Sequence, residues 1–262
     1  MKIDIEKFEK LVIKATLNHQ LSYYQLIFSG GKIRISIVNS YRDIVIKHTL
    51  INDVITGMQP RRQYILNFFK KITLPSKKKK KKAQIYLSTG EKISSDLVPG
   101  IEDPNLYDLE ITDELFIIKS ATETYKTKIF SLNQIKQNLV QQKIPACLYF
   151  VTLNPDQLEI LLQQKKLGRY FRKMYFEVDK NKLYISITDK AHSIDGCRQY
   201  ITDVNYNNCL MCFEYKNIEA LLNIIDDKYK IRLNYNPERV GGMLYCHSID
   251  NREKYFLMNR EL

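Results

Sequence analysis

The chain has 262 residues and a mass of 31.0 kDa, with 41 Lys+Arg against 29 Asp+Glu and a formal net charge of +12. Hydrophobic residues at 44% and charged residues at 27% are ordinary globular usage and exclude a wholly disordered chain. No segment approaches the ~18 uninterrupted apolar residues of a helical membrane span, and the opening Met1-Lys2-Ile3-Asp4-Ile5-Glu6 is too acidic and interrupted for a signal peptide. Five cysteines, an odd number in a long chain, fit reduced thiols and an intracellular location. The lysine run Lys77–Lys82 supplies half of the net charge, and the remaining excess is diffuse. Such an excess favours a polyanion such as DNA or RNA, through counterion release and steering.

In chain order, Ile5, Phe8, Leu11, Val12 and Ala15 recur at helical spacing and predict a helix from Ile5 to Leu17, with Asp4 as its N-cap. Lys7, Lys10 and Lys14 fall three and four residues apart on another face of that helix, as a basic stripe. Extended segments follow at Tyr23–Phe28, Lys32–Val38 and Asp43–Thr49, with Gly30-Gly31 marking a hairpin between the first two. A second helix is predicted over Gln63–Ile72, preceded by Pro60-Arg61-Arg62 and carrying Lys70 and Lys71, so that Arg61, Arg62, Lys70 and Lys71 give it a basic face as well. Beyond the lysine run come extended pieces at Gln84–Leu87, Leu106–Ile111, Leu115–Ser120 and Thr124–Phe130, and Gly90–Asn105 reads as loop.

Ser131–Pro145 is polar, rich in Gln and Asn, and reads as a connector. A strand at Cys147–Thr152 leads into Asn154-Pro155-Asp156, a helix start that continues to about Lys166. Strands at Lys173–Val178, Lys182–Thr188, Gln199–Val204 and Cys209–Tyr215 precede a helix over Asn217–Ile225. The chain closes with strands at Tyr229–Tyr235, Met243–Ser248 and Lys254–Met258. Each half therefore reads helix, strands, helix, strands. The fold class predicted is α+β: two tandem domains, each with antiparallel sheets and two helices, spanning 1–130 and 146–262 and joined by a connector at 131–145.

Catalytic signatures are missing. The Gly-Gly pairs lie at strand starts and form no phosphate-binding loop, and neither a nucleophile elbow nor His-Glu-x-x-His occurs. Cys209 and Cys212 have CxxC spacing, with Cys246-His247 as further ligands for a metal- or thiol-dependent enzyme. Residues three apart on a strand point to opposite faces, however, so packed thiols are the simpler reading. The expectation is a non-enzyme with no metal and no cofactor. Many Tyr and Phe leave open a β-rich single-stranded nucleic-acid binder or an assembly subunit.

Two stretches carry a family resemblance. Thr127-Lys128-Ile129-Phe130, the connector to Ile144-Pro145, Cys147–Val151 and the helix Pro155–Leu162 form one; Val240–Tyr245 followed by Lys254-Tyr255-Phe256-Leu257-Met258 forms the other. Together they resemble the DNA sliding clamps, the processivity factors related to proliferating cell nuclear antigen. The resemblance implies two clamp-like domains per chain and three chains closing a ring, as a homotrimer or heteromeric assembly, with helices lining the hole. It implies that Lys7, Lys10, Lys14, Arg61, Arg62, Lys70 and Lys71 face double-stranded DNA. It further implies that DNA polymerase or other factors dock a hydrophobic peptide on Val38, Tyr41, Leu139, Ile144, Val240, Phe256 and Met258. Implied too is a nuclear location or a viral replication site in the cytoplasm, with no membrane partner. One departure stands out: familiar clamps are acidic overall, whereas this chain is +12.

Overall fold

The computed structural model describes residues 1–17, 21, 24–29, 32–38, 44–51, 55–57, 63–68, 72, 74, 85–86, 92–93, 105–120, 123–130, 149–167, 172–188, 197–206, 209–236 and 241–259. The first half contains β1 (Lys2–Asp4), α1 (Ile5–Ala15), β2 (Tyr24–Ser29), β3 (Lys32–Val38), β4 (Ile44–Ile51), β5 (Ile55–Thr56) and β6 (Gln63–Phe68). After these come β7 (Ile85–Tyr86), β8 (Lys92–Ile93), β9 (Leu106–Ile111), β10 (Leu115–Lys119) and β11 (Thr124–Lys128). The second half contains β12 (Tyr149–Leu153), α2 (Pro155–Leu167), β13 (Lys173–Asp179), β14 (Lys182–Thr188), β15 (Cys197–Asp203) and β16 (Cys209–Glu214). It ends with α3 (Tyr215–Leu222), β17 (Tyr229–Asn236), β18 (Gly241–Ser248) and β19 (Glu253–Met258).

Local chemistry sets the helix starts. Asp4 caps α1 by accepting a hydrogen bond from the Lys7 backbone N–H at 3.0 Å. At α2, Asn154 and Gln157 exchange side-chain and backbone hydrogen bonds of 2.9 and 2.7 Å, a reciprocal capping box. The apolar stripe of α1 is buried as its spacing predicts, and burying a side chain such as Phe8 contributes about 2 kcal/mol.

The two halves repeat one topology. In the second, the sheet orders are β12-β17-β18-β19 and β15-β14-β13-β16; in the first, they are β1-β9-β10-β11, extended by β5, and β4-β3-β2-β6. Strand for strand, β11 corresponds to β19 and β15 to β4. Within the chain β19 pairs with β4 in antiparallel register, from Glu253↔His48 to Leu257↔Ile44. That joint fuses two four-stranded units into one eight-stranded sheet, β12-β17-β18-β19-β4-β3-β2-β6. The helix equivalent to α3 would fall between β6 and β9, a stretch that lies largely outside the described residues.

Each half has a layered core. Phe116 on β10 meets Phe8 of α1, Phe28 of β2 and Phe68 of β6, with ring centroids 5.6–6.5 Å apart. In the second half Phe176 and Phe213 meet edge to face at 5.6 Å. There β16 also approaches β18 closely: a Cβ on Gly242 would clash with the Met211 side chain and sit 2.9 Å from the Asn234 carbonyl oxygen.

The helix expected over Gln63–Ile72 is instead a strand, β6, paired with β2 from Gln63↔Ser29 to Phe68↔Tyr24. Tyr64, Leu66 and Phe68 alternate toward the core, while Ile65, which a helix would have buried, is 50% exposed. The described residues of the first half thus hold one helix, not two. The short strands β1, β5 and β8 were not expected, the last of them inside the loop predicted at 90–105. The connector 131–145 and the lysine run lie outside the described residues.

Candidate nucleic-acid interface and partner surface

Helix α1 presents Lys7, Lys10 and Lys14 on the side away from its buried stripe. Their side chains are 51%, 67% and 37% exposed, and each has a carboxylate partner. Lys7 Nζ lies 3.5 Å from Asp4, and Lys10 Nζ lies 2.9 Å from Glu6 one turn back. The hydrogen bond to Glu6, then the Glu6 charge, hold the Lys10 ammonium above its usual pKa. These pairs are local and solvated, so an incoming phosphate can compete for either lysine.

Lys14 belongs to a different arrangement. Its Nζ donates to the Tyr229 hydroxyl at 2.9 Å and lies 3.4 Å from both carboxylate oxygens of Glu253. Tyr229 in turn donates a short hydrogen bond to Glu253, and the Lys14 ammonium sits 5.5 Å from the Tyr229 ring centre. Burial, followed by the hydrogen bond to Glu253, pushes the Tyr229 phenol well above its ordinary pKa. The cluster ties α1 of the first half to β17 and β19 of the second. Sequence reading placed Lys14 with the DNA-facing cations and had no sign of Glu253 or Tyr229, because the partners lie 215 and 239 residues away.

Of the other expected DNA contacts, Arg61, Arg62, Lys70 and Lys71 lie outside the described residues, and the element between them is β6. Among the expected peptide-docking residues, the structure brings Val38 and Phe256 onto one transverse row of the eight-stranded sheet: Val38 pairs with Val45, and Val45 with Phe256. Met258 follows two residues along β19, half-buried, and Phe256 is buried. Tyr41, Leu139, Ile144 and Val240 lie outside the described residues.

Among the described residues the thiols Cys209, Cys212 and Cys246 are buried and form no disulfide. Burial pushes the Cys209 thiol up to about 12 and raises Cys246 as well. Among the described residues no cluster of His, Cys, Asp and Glu is arranged to hold a metal ion. No helix among them is long and apolar enough to cross a membrane.

A feature that the sequence reading did not isolate is the charge on the two faces of the eight-stranded sheet. Alternation puts Lys32, Arg34, Lys230, Arg232 and Lys254 on the face opposite the core. The only carboxylate in those eight strands, Glu253, is on the core face, bound to Lys14 and Tyr229. The signal was present as cations two apart in strands, Lys32/Arg34 and Lys230/Arg232, but it needed the register to become a surface.

No protein-family model matches the sequence, and no curated protein matches it. Solved structures do match its fold over the whole chain. The DNA polymerase III beta chain of Streptococcus pneumoniae matches with a TM-score of 0.65 at 8% identity, and the DNA polymerase sliding clamp of Bacillus subtilis with 0.65 at 11%. Both matches cover 100% of this chain and 64% of the other, so the chain spans about two thirds of those bacterial clamps. The A. fulgidus PCNA, solved with the C-terminal region of FEN-1, matches with a TM-score of 0.61 at 10% identity, covering 100% of this chain and 98% of that one. The chain has the fold of a sliding clamp, in its two-domain form.

Proposed function

We propose that this chain is a ring-forming DNA sliding clamp, built of domains at 1–130 and 146–262 joined by the 131–145 connector. Three copies close head to tail around duplex DNA and tether a polymerase or related factor, and the protein performs no catalysis of its own. The observation that carries this reading is the repeat. β19 and β4 satisfy each other's edges inside the chain, whereas among the described residues their counterparts β11 and β15 are edge strands of their sheets. An exposed strand edge is a template for pairing. The partner of matching shape for β11 is β15 of a second copy, joined as β19 is joined to β4. Such a contact is heterologous, and it generates a ring when the rotation closes.

The DNA-facing chemistry suits sliding. Lys7 and Lys10 are exposed and helix-borne, and cations of this kind attract phosphates without reading bases, so attraction carries no preference for position. Partner docking is assigned to the sheet face carrying Phe256 and Met258, beside β3 and β4.

Retention on DNA tests the reading. The protein assembled on nicked circular duplex is expected to stay bound through gel filtration at moderate salt and to be lost once the circle is linearised. Equal retention on both forms, or preferential capture of a short single-stranded oligonucleotide, would replace topological linkage by direct binding.

A further inference from the structure

Five cations and no carboxylate stand on the outer face of the eight-stranded sheet among the described residues, and the patch at its second-half end has further detail. Register aligns Lys230, His247 and Lys254 in one row across β17, β18 and β19. The adjacent row runs Arg232, Tyr245, Phe256. Tyr245 stacks on Phe256 at 4.8 Å and on His247 at 5.0 Å, and Arg232 lies 5.3 Å from the ring of Phe150, which is 62% exposed. Three buried polar atoms on successive rows of this face have no hydrogen-bond partner among the described residues: Arg232 Nε, Asn234 Oδ1 and His247 Nε2. His247 is 7% exposed and its Nδ1 is already engaged, 2.9 Å from the Ser248 carbonyl oxygen. Orphaned buried polar atoms are uncommon, and each costs about 1–3 kcal/mol until a partner arrives.

We propose that this patch, around Lys230, Arg232, His247 and Lys254, docks an acidic segment of a partner protein beside the hydrophobic contacts of Phe256 and Met258. The proposal rests on the partner-docking reading above and adds the chemistry of the partner: carboxylates flanking an apolar core. Charge complementarity is the first argument. The carboxylate that could have neutralised the face, Glu253, is turned inward, and Asp250 in the β18–β19 turn is held by the Ser248 hydroxyl and by Arg252. A peptide also suits this face better than a nucleic acid. The rings of Tyr245, His247 and Phe256 are stacked on one another, so they are not platforms for bases.

The experiment uses the full chain and a matched pair of fluorescein-labelled peptides with a Phe-Leu core, one flanked by four glutamates and the other by four glutamines. By fluorescence anisotropy the glutamate peptide is expected to bind roughly tenfold tighter at about 50 mM salt, and the two to converge at about 500 mM. The double variant K230E/K254E, altered at an exposed and a half-buried position, is expected to abolish or invert that preference while leaving the glutamine peptide unchanged. K7E/K10E on α1 is expected to leave both peptides unchanged. Equal binding of the two peptides by the wild type overturns the acidic-partner proposal and leaves peptide docking standing. Failure to bind either peptide overturns both. Loss of duplex DNA binding in K230E/K254E, with no effect on the peptides, makes this face a nucleic-acid surface instead and also overturns the proposal.

Discussion

The joint between β19 and β4 and the pair of edges at β11 and β15 are the same architectural position in two conditions. In the first, five residue pairs are zipped and the Lys14–Tyr229–Glu253 cluster clamps the neighbouring helix across the seam. In the second, β11 and β15 each end their sheet among the described residues. A fold that duplicates its unit inside one chain closes one copy of its own interface, and the proposed ring uses the other for assembly.

Breaking the open edge gives the largest expected effect. Lys126→Pro removes a backbone donor from β11, whose Lys126 side chain is exposed. Losing ladder hydrogen bonds and stranding their partners is expected to cost about 3 kcal/mol of association, roughly 100-fold in assembly, with a folded monomer by circular dichroism. An unaltered mass would remove β11 from the interface.

Alkaline titration probes the cores behind the two joints. Buried Cys209, Cys246, Tyr206 and Tyr255 of the second half, and Tyr24 of the first, have pKa values raised mainly by burial. Their neutral forms are favoured in the folded state, so the stabilisation is complete below the ordinary values of 9.0 for thiol and 10.0 for phenol. It is lost as pH climbs toward the raised values, about 12 for Cys209. Urea unfolding is expected to weaken above pH 9, by about 1.4 kcal/mol per pH unit for each such group. A flat profile between pH 8 and 11 would contradict this account of the thiols and phenols.

A smaller effect is expected from Glu253→Ala, which leaves Lys14 and the Tyr229 hydroxyl without their shared acceptor. Because Lys14 is 37% exposed, the penalty is discounted to about 1–2 kcal/mol, read from urea midpoints. Smallest for stability is K7E/K10E, expected to fall within about 0.5 kcal/mol of the wild type. The same variant is expected to flatten the salt dependence of DNA retention, by about 0.9 in log–log slope for each phosphate that is no longer neutralised. A stability loss as large as that of Glu253→Ala would mean that Lys7 and Lys10 are structural.

Most strands were legible because apolar and polar residues alternate cleanly, as in Lys32–Val38 and Lys182–Thr188, whose ends agree with the structure. Asp4 and Asn154 announced their helices through local chemistry. β6 was misread because Ile65, Phe68, Phe69 and Ile72 satisfy helical spacing while Tyr64, Leu66 and Phe68 satisfy alternation. Sequence alone could not weigh the six-residue ladder to β2 that decides between them. The exposed basic face of α1 was legible at Lys7 and Lys10, because helical spacing is local. What depends on register was hidden: the pairing of Lys14 with Glu253, and the assembly of Lys230, Arg232 and Lys254 into one face.

The most direct test of the central claim is the mass of the wild-type chain by light scattering after gel filtration, across the micromolar range. The account predicts one closed species of three 31.0 kDa chains, unchanged on dilution until it dissociates. A monomer throughout, or a mass that grows without limit as concentration rises, would contradict a self-closing ring.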